Sequence, residues 1–349
     1  MFEKLSDWLQ LCRPFRKASY AKSTWQIINS FGGFFLSWVA AYFALKISFF
    51  LALPFIVLIA GFAIRIFIIQ HDCGHGSFFP NRKANDRLGF WCGLLTLAPY
   101  KHWKWTHATH HAHAGDLDFR GIGDVETLTV HEYLGLSRIR RFGYRFMRNP
   151  IMLFLVVPPI LFLVGQRVPH KKCWKQKDML WSVWDTNLAL LTLWCWVAYL
   201  IGWQAFFIIQ LTSVYVNTVV GVWLFYVQHQ FEDAYWQENA AWDPAKAAME
   251  GSSFFRLPKV LQWFTGNIGF HHVHHLDPMI PNYELEKCHK SHPAFTQVTT
   301  LTLANCWATM KLRFWDEKLK RMLSVKEMKS VYYARNKILK IIYQVMSKV

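Results

Sequence analysis

Three short runs in this chain space imidazoles as a metal site would. HDCGH carries His71 and His75, HATHH carries His107, His110 and His111, and HHVHH carries His271, His274 and His275, with His272 between them. On a helix, residues three and four apart share a face, with Cβ atoms about 5–6 Å apart. Each HxxHH therefore aims three rings at one point, and HxxxH aims two. With 16 His in 349 residues, chance yields an HxxxH roughly 0.7 times per chain but an HxxHH only about 0.03 times. Two HxxHH runs and one HxxxH in one chain point to a shared metal site.

Eight such nitrogens exceed what one tetrahedral zinc can use, and they suit two metals with coordination positions left open. Imidazole accepts Zn, Cu, Fe and Ni, so ligand type alone does not choose among them. A ninth candidate is His229 in FYVQHQFED, where a lone His is either interfacial filler or a further ligand. Asp72, Asp116, Asp118 and Glu232 lie beside these motifs and are candidates to orient the rings by accepting their N–H groups. Solvated surface acids are the alternative for them. His113 and His272 have motif neighbours but point off the helical faces that carry the triads. His102, His131, His170, His289 and His292 read as surface or internally satisfied residues.

Elements that could position these motifs are apolar. The chain is 53% hydrophobic and 17% charged, with a net charge of +17 and a mean hydropathy of +0.12; an ordinary soluble globule carries about a quarter charged residues. Intrinsic disorder is excluded. A membrane-crossing helix needs about 20 mostly apolar residues, and residues 27–45, 48–70, 186–202 and 204–228 qualify or nearly so. They pair as two hairpins, turning near Lys46 and at Gly202 to Gln204. A fifth stretch, 151–165, is short and holds Pro158 and Pro159, which should break a helix; it reads as re-entrant or interfacial. Arg65, the one charge in the second span, is expected to snorkel toward the interface, with substrate binding as the alternative.

Two hairpins put the N-terminal segment, the middle loop and the C-terminal third on one side. Basic residues choose the cytoplasm. Lys4, Arg13, Arg16, Lys17 and Lys22 precede the first span, and residues 71–183 hold 16 Lys+Arg against 8 Asp+Glu. Spread along membrane flanks without a nucleic-acid motif, these charges match an anionic leaflet better than a nucleic acid, and their face would also steer an acidic partner protein. MFEKLSDWLQLC has the pattern of an interfacial helix, no signal peptide is indicated, and seven scattered Cys form no disulfide framework. The expected architecture is all-α and integral to the membrane: residues 1–25 interfacial, 26–310 the spans with a cytoplasmic helical His-rich domain, and 311–349 basic amphipathic helices. Location is also what favours redox iron. The motifs lie at the mouth of a bilayer, where long apolar substrates reside, and no HExxH carboxylate base accompanies them.

HDCGHGSFFPNRKANDRLG, HATHHAHAGDLDFRGIGDVETLT and GFHHVHHLDPMIPNYEL resemble, in order and spacing, the integral-membrane fatty-acid desaturases with three histidine boxes. The likeness runs from about residue 45 to about 300. Within that family the HDCGH box and the GDLD and GDVETLT stretches are similar to the acyl-lipid omega-6, Δ12 and bacterial Δ5 type. The resemblance implies a diiron centre of two Fe held by His71, His75, His107, His110, His111, His271, His274 and His275, with His229 as the extra ligand. It implies O2, a membrane-lipid acyl substrate, a cis double bond as product, and a bacterial inner membrane as the favoured location. Reduced ferredoxin or cytochrome b5 would bring the electrons. His292-Pro293-Ala294 is the nearest string to an HPGG haem motif, so the donor is expected to be a separate protein. A hydroxylase, acetylenase or carotenoid oxygenase of the same fold would share these boxes; a metal transporter or a membrane zinc hydrolase is the more distant alternative.

Overall fold

The first two long helices each begin at a serine whose side chain caps them. The computed structural model describes residues 4–332. Helix α1 (Leu5–Cys12) precedes α2 (Tyr20–Leu45), where the Ser19 hydroxyl accepts from the Lys22 amide. Helix α3 (Phe49–His75) starts at Ser48, which accepts from the Leu51 amide. Such caps satisfy amides that the first helical turn leaves unpaired. Helices α4 (Arg82–Leu95), capped by Asn81, and α5 (Tyr100–His113) then pack against α3.

Strand β1 (Leu128–Thr129), α6 (Val130–Gly135) and α7 (Arg138–Met147) lead into a π-helical turn at Ile151–Val156 and helix α8 (Val157–Leu163). The second hairpin is α9 (Lys177–Ile201) and α10 (Trp203–His229), joined at Gly202. Beyond it come α11 (Pro244–Met249), β2 (Phe254–Arg256), α12 (Lys259–Phe264), α13 (His271–Leu276), α14 (Asn282–Ser291), β3 (Thr300–Thr302), β4 (Leu312–Asp316) and β5 (Arg321–Ser324). Helix α3 touches α2, α10 and α12 as well as α4 and α5, and its buried face of Ile56, Ile59, Ala63, Ile66 and Ile69 forms the main apolar core with α2 and α4. The fold is thus dominated by helix, as composition and periodicity imply.

Four described segments are long and apolar enough to cross a membrane: α2, α3, Ile151–Cys173 and α10. The expected span at 186–202 lies in α9, a helix of 25 residues whose apolar run is diluted by Asp185, Thr186 and Asn187. Residues 151–163 remain helical through both prolines. Pro158 sits in the first turn of α8, where a missing amide costs nothing, and the wider π turn precedes it. Arg65 does not snorkel. It is 7% exposed, its Nε donates to Asn29 Oδ1 at 3.3 Å, its Nη1 donates to the Trp263 carbonyl, and its guanidinium lies 3.9 Å from the Trp263 ring centroid. A buried guanidinium needs such partners, and here it ties α2, α3 and α12 together.

Two other segments differ from expectation. Helix α1 is amphipathic, but Trp8 and Cys12 bury into a cluster with Phe270, Val273, Leu276 and Phe295, so its apolar face is covered by protein. Residues 312–324, expected to be an amphipathic helix, form the β4–β5 hairpin, with β1 parallel to β4. Strand alternation, reset by an irregularity in register between Leu312 and Phe314, explains it: Phe314 and Leu323 pack on Tyr133 and Tyr144, while Leu312, Trp315 and Met322 pack on Leu224 and Phe231 from the other side. A helix has one apolar stripe, whereas this segment has two apolar faces to bury. Asp316 Oδ1 accepts from the Lys318 and Leu319 amides at 2.9 and 3.0 Å to close the turn. The expected helix over 337–346 lies outside the described residues.

At the α4–α5 turn a Cβ on Gly93 would sit 2.5 Å from the Ala98 carbonyl oxygen. Gly93→Ala should therefore destabilise the detergent-solubilised protein by about 1–3 kcal/mol. An unchanged melting temperature would show that the turn opens freely.

Candidate metal centre

Four elements bring their histidines to one place. His71 and His75 occupy the last turn of α3, His229 ends α10, His107, His110 and His111 lie along α5, and His271, His274 and His275 lie on α13. The side-chain nitrogens sort into two groups, His71–His75–His107–His111–His274 and His110–His229–His275, each with all its ligand atoms within 4.8 Å of one another. His271 adjoins the second group, its Nε2 standing 2.8 Å from His229 Nε2. The His111 and His275 rings stack at 4.1 Å and join the groups.

Distances within the groups fit ligation. His71 Nε2 is 3.0 Å from His274 Nε2, His274 Nε2 is 2.9 Å from His111 Nε2, His111 Nε2 is 3.1 Å from His107 Nε2, and His110 Nε2 is 3.1 Å from His229 Nε2. An ion about 2.1 Å from each of two nitrogens at right angles sets them about 3 Å apart. A neutral imidazole carries one proton for two nitrogens, so these chains of nitrogens cannot all be satisfied by hydrogen bonds. His75 Nε2 and His275 Nε2 are buried with no hydrogen-bond partner. Buried polar atoms are ordinarily paired, and a cation is what would pair these lone pairs. Burial, and after it the neighbouring imidazoles, hold His107, His111, His271, His274 and His275 well below the usual imidazole range. They are neutral at pH 7 and hence competent ligands.

Outer contacts aim the rings. His71 Nδ1 is 3.0 Å from Asp72 Oδ1, and the other oxygen of Asp72 accepts from the Asn282 amide and side chain at 2.7 and 2.8 Å. His110 Nδ1 pairs with Asp124, and His229 Nδ1 donates to the Gly251 carbonyl at 3.3 Å. Each contact places the proton on Nδ1 and leaves the Nε2 lone pair facing the other histidines. Trp103 stacks on His107 at 4.7 Å. Beside the second group a cavity of about 20 Å³, bordered by His110, Asp124, Phe225, His229 and Gly251, has room for one water-sized molecule.

Of the four acids expected around the rings, only Asp72 reaches one of the clustered histidines. Asp116 accepts from the Asp118 amide and from Asn239 Nδ2, lying no closer than 3.8 Å to His113; Asp118 accepts from the Asn239 amide, and Glu232 pairs with Arg321. Each finds a closer local partner, so the chain bends them away. Asp124 is the carboxylate that sequence reasoning missed. Its signal is the glycine before it: Gly123 adopts φ +75° and would place a Cβ 2.8 Å from the Thr106 carbonyl oxygen, so only glycine lets this loop press against α5. His113 stacks on Phe119, and His272 pairs with His289 at 3.1 Å; neither joins the groups, as their helical phase implies.

Removing an outer partner of a metal-bound imidazole typically costs 10–100-fold in affinity. Asp124→Asn should lower the metal content of the purified protein accordingly after dialysis against chelator, whereas Asp116→Asn should leave it unchanged. Equal retention by both variants would dissociate Asp124 from the site.

Comparison with known proteins agrees with this geometry. The family profile described as fatty acid desaturase matches residues 47–298, which span the His-bearing ends of α3, α5, α10 and α13. A fatty acid desaturase of Bacillus subtilis is 44% identical over 306 residues, covering 88% of this chain and 86% of that protein. The sn-1 acyl-lipid omega-3 desaturase (ferredoxin) of Synechocystis is 27% identical over 277 residues, covering 75% and 74%. The sn-1 oleoyl-lipid 12-desaturase of the same organism is 25% identical over 237 residues, covering 64% and 63%. With four membrane-length apolar segments and a buried cluster of imidazoles at their ends, the chain belongs to the fatty acid desaturase family and is an oxidoreductase.

Proposed function

We propose that this enzyme introduces a cis double bond into acyl chains of membrane lipids at a centre of two irons. His71, His75, His107, His111 and His274 would hold one iron, and His110, His229, His271 and His275 the other. Iron so bound supplies the activation of O2 and the removal of two hydrogens from neighbouring unactivated methylenes. The observation that carries this reading is the pair of buried, carboxylate-free imidazole groups from four separate elements. Imidazole alone would accept other metals; the family and the apolar surroundings favour iron and an oxidation.

The chain's own residues bind, orient and dry the site. Asp72, Asp124 and the Gly251 carbonyl hold protons on Nδ1 and so keep Nε2 lone pairs directed inward. Trp103, stacked on His107, and Phe225, against His110 and His229, shield the rings from water. A dry, fixed geometry lets one methylene be held against the reacting centre rather than many.

The omega-3 desaturase of Synechocystis carries ferredoxin in its name. A separate ferredoxin or cytochrome b5 is our corresponding proposal here. For topology we propose the hairpins α2–α3 and α9–α10 as the four spans, with the His-bearing ends and both termini cytoplasmic and a bacterial inner membrane as the location. The segment Ile151–Cys173 has the length and apolarity of a span, but its continuous helix ends at Leu163 and gives only about 20 Å of axis against a hydrocarbon core of about 30 Å, which supports an interfacial or re-entrant course.

Expression in a host whose lipids hold only saturated and monoenoic chains, followed by gas chromatography and mass spectrometry, tests the reaction. The wild type should yield a new double bond. His229→Ala, at equal membrane abundance, should lose more than about 100-fold of it, beyond the loss expected from an outer contact. A product heavier by one oxygen, or undiminished product from the variant, would overturn the proposal. Protein purified without chelator should carry about two irons per chain; zinc in an active preparation would reassign the metal.

A further inference from the structure

Helix α7 carries two adjacent stripes that the site does not use. Arg138, Arg141 and Arg145 recur at helical spacing along one stripe, and Ile139, Phe142 and Phe146 along the next. The opposite side of the helix buries Tyr144, whose hydroxyl donates to the Arg313 carbonyl at 2.5 Å, so α7 is fixed to the sheet. Its apolar stripe faces outward: Ile139 is 84% exposed, Phe142 63% and Phe146 49%. Such a face beside arginines suits a helix lying in the membrane interface, and the chain enters the apolar 151–173 segment four residues after α7 ends.

The cationic stripe closes over a pocket. Arg138, Arg141, Arg145 and Lys329 line a cavity of about 340 Å³ with Tyr133 and Tyr332, within the range of small-ligand sites of about 300–1,000 Å³. Among the described residues, no carboxylate pairs with any of the four cations. Arg141 is held in place by the Leu134 and Leu136 carbonyls and lies 5.8 Å from the Tyr133 ring centroid. Four uncompensated cations around one concavity, with an outward apolar stripe alongside, match a ligand that is anionic at one end and apolar at the other.

We infer that this pocket binds the headgroup of an anionic phospholipid, whose phosphate, unlike that of a zwitterionic lipid, brings no cation of its own against the arginines, with the acyl chains lying along Ile139, Phe142 and Phe146. Guanidinium groups suit phosphate through paired N–H donors, and clustered basic residues at a membrane surface attract anionic lipids. An acidic protein would match the cations but leave the adjoining apolar stripe uncovered. The site requires neither metal nor the desaturation reaction, so its test is independent of both.

Native mass spectrometry of the full-length, detergent-solubilised protein would measure binding of phosphatidylglycerol and of phosphatidylcholine with identical acyl chains. The wild type should bind phosphatidylglycerol about tenfold more tightly, and millimolar inorganic phosphate should not displace it. The triple variant Arg138→Gln, Arg145→Gln, Lys329→Gln should lose that preference while keeping its phosphatidylcholine binding and its metal content. Equal wild-type affinity for the two lipids, an unchanged preference in the variant, or displacement by free phosphate would each overturn the proposal. If the triple variant does not accumulate, Arg138→Gln alone, at an exposed first-turn position, and the wild-type comparison decide it.

Discussion

Crowding nine imidazoles into one small space is the constraint on which the structure turns. The lone pairs face one another across 2.8–3.1 Å, and several ring nitrogens find no hydrogen-bond partner. Unpaired buried polar atoms are unfavourable unless something else satisfies them. The arrangement persists because the surrounding helices are packed and hydrogen-bonded independently of the rings, so that a cation finds its ligands already placed.

Asp72 is the joint between the parts. One oxygen faces His71 and the other accepts two hydrogen bonds from Asn282, so the last turn of α3 is bound to the start of α14, just beyond the third His run. Arg16 reinforces that region by donating from Nε to Asp277 at 2.6 Å. On the far side Gln230, next to His229, accepts from Thr127 at 3.2 Å and from Arg148 at 3.0 Å, tying the end of α10 to the loop that carries Asp124. The short six-residue α13 could not hold three ligands by helix propensity alone; its neighbours hold it.

Charge and apolarity are distributed to match the same organisation. The apolar majority lies in helices whose outward faces carry exposed Phe35, Leu36, Phe50, Leu188 and Leu191, as a lipid-facing surface requires. Much of the basic excess lies near the His-bearing ends, on α7 and the segments flanking the sheet. The sheet, small as it is, covers the ends of the helices with a strand whose two faces serve two different cores.

Sequence by itself determined the long helices, the three His runs as the residues to watch and the pairing of helices into hairpins, because those follow from periodicities of three to four residues and from runs long enough to cross a bilayer. His229 it left open between interfacial filler and a further ligand. Tertiary structure alone decided how the nine histidines divide into two groups, that Asp124 rather than Asp116 or Glu232 reaches a clustered ring, that Arg65 turns inward onto Trp263, and that residues 312–324 are strands. Each of these depends on a contact between segments distant in sequence. His110 and Asp124 meet only because Gly123 lets a loop lie against α5, and no spacing within the chain encodes the direction in which a loop returns.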